Sequence, residues 1–147
     1  MFGYCVWLEF IKNHHFYSIH KTIACALRAQ THNPHITLDY NVLKNNGIEK
    51  TKCYNPTTLY ACGKVYQDNT SNFYALQQNY IRENDLSQIF HVSLAYRVDE
   101  KFTKEEIQFA NSLNIPRIIK PEEFNVTLWN CDSIYTKNWY NVNILNM

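Results

Sequence analysis

The stretches NPHITLDY (residues 33–40) and FHVSLAYR (residues 90–97) share one pattern: a histidine, a β-branched residue, a hydroxyl residue and a leucine, in that order. Both stretches are rich in β-branched and aromatic residues, which predicts that each is a strand. A single His-x-(Thr/Ser)-Leu pattern often arises by chance. Two copies, each in a predicted strand of one small chain, are a more specific signal, and the rest of the sequence is interpreted around them.

The spacing inside each pattern places its polar side chains together. Residues two positions apart in a strand point to the same face, so His35 shares a face with Thr37, and His91 shares one with Ser93. The β-branched residue and the leucine point the other way, toward the core. If the two strands lie side by side, two imidazoles and two hydroxyls converge on one small space.

Such a convergence suits phosphoester chemistry. One neutral histidine takes a proton from the attacking group, and the other, protonated, gives a proton to the leaving oxygen. The hydroxyls donate hydrogen bonds to the non-bridging phosphoryl oxygens. This arrangement requires no metal and no cofactor. The alternative interpretation is two strand histidines that lie near the core and share no role.

The rest of the chain predicts a single α+β domain over residues 1–147, because no low-complexity linker or Pro/Gly-rich hinge divides it. The clearest helix follows Thr103, an N-cap with Glu106 as its capping-box partner. Residues 45–51, NNGIEKT, predict a turn. The order is β-α-β-β-β-β-α-β-β, with approximate internal duplication. The predicted strands are residues 2–10, 35–42, 57–67, 72–81, 90–98, 124–131 and 139–145, and the predicted helices are residues 14–30 and 102–114.

The net charge of +1 implies no large electrostatic field, so tight binding to long duplex nucleic acid is not expected. A small anionic ligand would need only local positive charge. Lys44, Lys50, Lys52, Lys64 and Arg97 are the candidates for it. A solvated surface is the default position for such side chains, and a place for one or two of them in the cleft stays open.

The cysteines favour a reduced, soluble, cytoplasmic protein. Their number is odd, no two form a C-x-x-C pair, and the sequence shows neither a secretory signal peptide nor an apolar run of membrane-spanning length. A bridge between Cys53 and Cys62 is the one disulfide considered, and intracellular disulfides are rare. The cysteines are residues 5, 25, 53, 62 and 131.

Four further histidines, His14, His15, His20 and His32, raise the question of a metal site. His32-x-x-His35 is the tightest pair, but it spans a proline at a strand entrance. No carboxylate or cysteine completes a ligand set at a useful spacing, so we predict no bound metal.

The two motifs resemble those of the 2H phosphoesterase superfamily, which is named for two H-x-[ST] motifs. The resemblance extends to its cyclic phosphodiesterase branch and covers nearly the whole chain in order. The segments that carry it are YCVWLEF (residues 4–10), PHITL (34–38), HVSLAY (91–96), FTKEE (102–106) and LWNCDSIYTKNWYNV (128–142).

The resemblance implies a bilobal fold of antiparallel sheets with pseudo-twofold duplication, a central cleft and one helix per lobe. It implies metal-independent cleavage of 2′,3′-cyclic phosphates or related small nucleotide phosphodiesters. His35 and His91 match the family's catalytic pair, and Thr37 and Ser93 match its phosphate-holding hydroxyls.

Three aromatic residues are candidates for substrate binding. Trp7 and Tyr96 match aromatic positions near the family's site, while Tyr4 lies on the other face of the first strand; core packing is the alternative for each. Regular alternation would turn Tyr96 away from His91, unless a twist or the strand end brings it to the rim. Residues 82–89 stand where the family usually has a helix, which implies a more open cleft that admits a larger nucleotide.

The resemblance also widens the range of functions. Viral and phage members of the superfamily degrade cyclic dinucleotides or 2′-5′ oligoadenylates of antiviral signalling, which would place such a protein in the host cytoplasm. A non-catalytic module that binds a nucleotide or an RNA 3′ end is a second alternative, and an interaction protein with accidental motifs is a third. The expected partner is a small nucleotide, with no membrane and no obligate protein partner.

Overall fold

The computed structural model describes residues 2–142, except the side chain of Cys53. The described part is a mixed α+β structure in which three helices pack on one eight-stranded antiparallel sheet. The strands are β1 (Tyr4–Phe10), β2 (His35–Val42), β3 (Leu59–Thr70), β4 (Phe73–Arg82), β5 (Asp85–Val98), β6 (Ile118–Ile119), β7 (Phe124–Asn130) and β8 (Tyr140–Asn141). The helices are α1 (His15–Leu27), α2 (Lys44–Cys53) and α3 (Lys104–Ser112), and two 3₁₀ turns span Pro121–Glu123 and Thr136–Asn138.

The two strands that carry the motifs are neighbours in the middle of the sheet. The strand order is β6-β3-β4-β5-β2-β1-β7-β8, so four strands lie on each side of the boundary between β5 and β2. The ladder between β2 and β5 is short, and Ile36 of β2 pairs with Val92 of β5 in it. Both side chains are fully buried in the main core.

Helices cover the face of the sheet to which Ile36 and Val92 point. The apolar side of α1 packs there, and its buried residues are spaced by three and four positions, as the sequence pattern predicts. Helix α1 ends earlier than predicted because Arg28 adopts a left-handed backbone with φ of 50°. The buried apolar residues of α1 are Phe16, Ile19, Ile23 and Leu27.

The predicted turn at residues 45–51 is wrong, because this segment lies within helix α2. Gly47 points at the sheet, where an added Cβ would lie 2.6 Å from Leu128 Cδ1 and 3.1 Å from Val42 Cγ2. The glycine therefore permits close approach of the helix to β1 and β7 and makes no turn. Packing of Ile48 in the same apolar cluster outweighs the weak local helix propensity of the segment.

The three consecutive antiparallel strands β3, β4 and β5 differ from the predicted strands in length. The predicted β3–β4 hairpin forms, with its turn at residues 71 and 72. Residues 82–89 continue the β4–β5 hairpin around a two-residue turn, so β5 begins at Asp85. Ile118 and Ile119 form a short strand against β3 that the sequence analysis did not predict. The last predicted strand begins one residue later as β8, and residues 143–145 of that prediction lie outside the described residues.

Cys5, Cys25 and Cys62 form no disulfide with one another. The Cys53 side chain lies outside the described structure, so the pairing with Cys62 stays untested. Within residues 2–142, no helix combines the length and the apolar character that crossing a membrane requires.

The predicted capping box of α3 is confirmed. The Thr103 hydroxyl accepts a hydrogen bond from the Glu106 backbone N–H at 3.1 Å, and a Glu106 carboxylate oxygen accepts one from the Thr103 N–H at 2.8 Å. The same carboxylate also pairs with Arg97, which follows the second motif on β5 and donates to the Leu27 carbonyl at the end of α1. Arg97 thus joins α1, β5 and α3.

Thr103→Ala removes the hydroxyl that caps α3 and leaves the Glu106 backbone N–H without that acceptor. We expect the free energy of unfolding to fall by about 1 kcal/mol in urea denaturation. Thr103→Ser keeps the acceptor and is expected to stay near wild type. Equal stability of all three proteins would contradict a role for this cap.

Candidate active site

All four motif side chains line one cleft with a volume of about 460 Å³. The cleft lies on the face of the sheet opposite the helices. His35 and Thr37 reach it from β2, and His91 and Ser93 reach it from β5. The structure therefore places the four candidate residues together, as their strand spacing predicts.

The pairing of β2 with β5 determines how these side chains alternate. Their antiparallel register at Ile36 and Val92 sets the first histidine across from the second motif's hydroxyl. The first motif's hydroxyl likewise lies across from the second histidine. Each of these two cross-strand pairs thus offers one imidazole and one hydroxyl to a group bound in the cleft.

His35 is the more buried of the two histidines, with 5% of its surface exposed. Its ring stacks on Trp7 with the centroids 3.3 Å apart and the planes 8° from parallel. Its Nδ1 lies 2.7 Å from the Asn33 carbonyl oxygen. Because a carbonyl oxygen only accepts, Nδ1 carries the proton and Nε2 keeps its lone pair. Burial lowers the pKa of His35 well below its usual value, so this imidazole is neutral at pH 7.

A carboxylate behind His35 holds the segment that orients it. The Asn33 amide donates to Glu9 Oε2 at 3.0 Å, so the residue whose carbonyl fixes His35 is itself anchored. The other Glu9 oxygen accepts from the Thr127 hydroxyl at 3.0 Å and from Trp129 Nε1 at 2.9 Å. Glu9 therefore acts through Asn33 on the position of His35.

His91 lies in a more open and polar environment. Its Nδ1 is 2.6 Å from the Asn79 side-chain oxygen and 3.2 Å from the Tyr66 hydroxyl. Asn79 is the cross-strand partner of His91 on β4, which explains the short contact. Partial burial lowers the pKa of His91, and the Asp68 carboxylate opposes that effect. His91 is therefore better placed than His35 to carry a proton.

The hydroxyl of Ser93 belongs to the same polar network. Gln77 is its cross-strand partner and donates an amide hydrogen bond to its oxygen at 3.4 Å. The Tyr66 hydroxyl donates to the Gln77 carbonyl oxygen at 3.0 Å. Thr37 differs from Ser93 in being exposed at the cleft. Tyr66, Gln77 and Asn79 were not predicted as site residues; their only sequence signal is the i, i+2 spacing of the two amides in a predicted strand.

Tyr96 lines the cleft because β5 contains a bulge. The pairing of β5 with β4 leaves out one residue, Leu94, between Ser93 and Ala95. Leu94 and Ala95 consequently both pack in the main core, and the alternation restarts one residue later. Tyr96 therefore returns to the face of His91, although regular alternation would turn it away.

Trp7 also lines the cleft, but its main contacts are with other rings. It stacks on His35 on one side and on Trp129 on the other, where the ring centroids are 4.7 Å apart. Tyr4 lies away from the cleft, since it packs with Val6 in the apolar cluster beneath α2, on the opposite face of β1. Strand alternation accounts for this separation of Tyr4 from Trp7.

The other histidines have structural positions. His14 caps α1, and its Nε2 lies 3.0 Å from a Glu123 carboxylate oxygen. Burial lowers the pKa values of both His20 and His32 to about 4. In the described part of the chain, no three His, Cys, Asp or Glu side chains are grouped as metal ligands.

Comparison with known proteins gives no indication of the function of this chain. No family model matches the chain, and a search of curated proteins finds no significant match.

The two cleft histidines should titrate in a fixed order. Because His35 is more deeply buried, we expect its ring to remain neutral to lower pH than that of His91. NMR titration of the imidazole carbons and nitrogens checks this, with His35→Gln and His91→Gln used for assignment. Both neutral rings should carry their proton on Nδ1. Protonation of His35 before His91 as the pH falls would contradict the assignment.

Buried neutral histidines also predict a loss of stability in acid. The unfolded chain binds protons near pH 6.5, whereas folded His20 and His32 do so only near pH 4. Stability present above pH 6.5 is therefore lost as the pH falls toward 4, with a slope of about 1.4 kcal/mol per pH unit for each proton.

Urea denaturation at several pH values between 7.5 and 4 measures this slope. His20→Asn should make it shallower, because asparagine can keep the hydrogen bond to the His32 carbonyl and does not titrate. His15→Asn, at an exposed histidine, is the matched control and should keep the wild-type slope. Equal slopes in both variants would rule out the contribution of His20.

Proposed function

We propose that this protein is a phosphodiesterase that hydrolyses a cyclic phosphate or a small nucleotide phosphodiester by two-histidine acid–base catalysis. The observation that carries the proposal is the convergence of both His-x-(Thr/Ser) pairs on one cleft from two neighbouring strands. Each imidazole uses Nδ1 for a fixed protein acceptor, which leaves Nε2 for the substrate. The acid–base pair requires no metal ion.

The different surroundings of the two histidines suggest their roles. His35, neutral and buried, accepts a proton from the attacking water through Nε2. His91, more open and close to Asp68, donates a proton to the leaving oxygen. Thr37 and Ser93 donate hydrogen bonds to the non-bridging oxygens, where negative charge grows in the transition state. A bell-shaped pH dependence of kcat/KM is expected from one protonated and one neutral histidine.

The sheet order supports the finer fold proposal. We interpret β6-β3-β4-β5 and β2-β1-β7-β8 as two lobes related by a pseudo-twofold axis that passes between β5 and β2. In this interpretation, α1 and α3 are the helices of the two lobes, and α2 is an addition to the β2–β1–β7 lobe. This is the arrangement that the resemblance to 2H phosphoesterases implies.

The proposal predicts the loss of turnover when either histidine is removed. His35→Ala and His91→Ala should each lower kcat/KM by at least about 10²–10⁴-fold. Thr37→Val and Ser93→Ala should lower it by about 10²-fold. His15→Ala is the control at an exposed histidine outside the cleft and should be fully active.

The assay follows product formation by chromatography in EDTA, without added metal. Its substrates are nucleoside 2′,3′-cyclic phosphates with each of the four bases, ADP-ribose cyclic phosphate, 3′-5′ and 2′-5′ cyclic dinucleotides, and 2′-5′ oligoadenylate. Cleavage of the signalling nucleotides alone would favour the role in evading antiviral signalling. Near-normal rates in either histidine variant would refute the proposal. Binding without cleavage of any substrate would instead favour a nucleotide-binding module.

A further inference from the structure

No lysine or arginine side chain lines the cleft, according to the described residues of its wall. All fourteen Lys and Arg residues fall within residues 2–142, and none of them lines it. Asp68 is the one residue with a formal charge at neutral pH among the described residues of the cleft lining. An enzyme that binds several phosphates usually surrounds them with Arg or Lys, because each buried charge needs a counter-charge.

The basic residues considered for the cleft are engaged or directed elsewhere. Arg97 donates to Glu106 at 2.8 Å and lies over the Phe102 ring, 4.5 Å from its centroid. Lys50 pairs with Asp39, and Lys52 lies 3.9 Å from Glu49 within the same helix. None of the five candidate cations lines the cleft, so the possibility that the sequence left open is not realised among the described residues.

The remaining cleft lining is suited to an uncharged group. Beyond the motif residues, aromatic rings form much of the wall, and several of them belong to one apolar cluster. Such rings offer a nucleobase apolar contact and offer an additional phosphate no counter-charge. The aromatic residues of the wall are Phe2, Trp7, Tyr40, Phe73, Tyr96 and Trp139.

We propose that the cleft selects substrates that carry a single phosphodiester charge, and that Asp68 is the residue that discriminates against any additional phosphate. This inference rests on the proposed phosphodiesterase function. One protonated histidine and two hydroxyls are sufficient for one phosphoryl group. A second phosphate would share the cleft with the Asp68 carboxylate and would find no lysine or arginine among the described residues of its wall. The class selected is a mononucleoside cyclic phosphate without a 5′-phosphate.

The test compares two substrates that differ only in charge: a nucleoside 2′,3′-cyclic phosphate and the same compound with a 5′-phosphate. The four bases are assayed in parallel, at low ionic strength. We expect wild-type kcat/KM to be at least about 10-fold higher for the compound without the 5′-phosphate. Added salt should reduce the ratio, because Asp68 is exposed and its repulsion is screened.

Variants at Asp68 test its role. Asp68→Asn should shrink the discrimination to about 3-fold, and Asp68→Lys should abolish or reverse it. Glu105→Gln removes the same charge from α3, on the helix-covered face, and should leave the ratio unchanged. An unchanged ratio in Asp68→Lys would overturn the assignment of Asp68.

The two levels of the proposal fail in different ways. If wild type cleaves the 5′-phosphorylated compound as well as its partner or better, the charge selection is overturned and the phosphodiesterase function stands. If neither compound nor any other phosphodiester in the panel is cleaved, the proposed function fails and the charge selection fails with it.

Discussion

The pairing of β2 with β5 through Ile36 and Val92 is the constraint on which the site depends. The two side chains are buried beneath the helices, and because strand side chains alternate, the residues on either side of them must face the cleft. A shift of one residue by either strand in this pairing would turn the histidine of that strand into the core. The apolar residues between the motif's polar residues therefore hold the two strands in register, and their burial under α1 gives that register its stability.

The distribution of charge follows from the same architecture. Arg97 lies four residues after Ser93 but serves the helix-covered face, where its guanidinium contacts the end of α1 and a carboxylate of α3. The bulge at Leu94 changes the alternation between these positions, so that Tyr96 faces the cleft and Arg97 faces the helices. One inserted residue thus places an aromatic ring, in preference to a cation, beside the motif.

Strand periodicity was sufficient to predict which motif side chains share a face, and cap chemistry was sufficient to predict the start of α3. Both are local rules that involve few residues. Helix α2 was missed because Asn-Asn-Gly has a turn signature, whereas Gly47 is needed for contact with Leu128, which is distant in sequence. The bulge at Leu94 depends on the register of β5 against β4. The position of Arg97 outside the described wall of the cleft depends on partners such as Glu106. Neither property is visible in a window of the sequence.

The histidines of the two similar motifs differ in burial and in hydrogen-bond partners because different strands lie beside them. Strand β1 supplies Trp7, whose stacked ring excludes water from His35, and Glu9, which anchors the segment that accepts its Nδ1 proton. Strand β4 instead supplies Asn79, whose amide holds His91 without burying it. This difference would assign the roles of an acid–base pair, because the less buried His91 keeps its proton at a pH where His35 is already neutral. Since the difference arises from burial on one side and polar contacts on the other, the motif strands themselves can stay nearly alike.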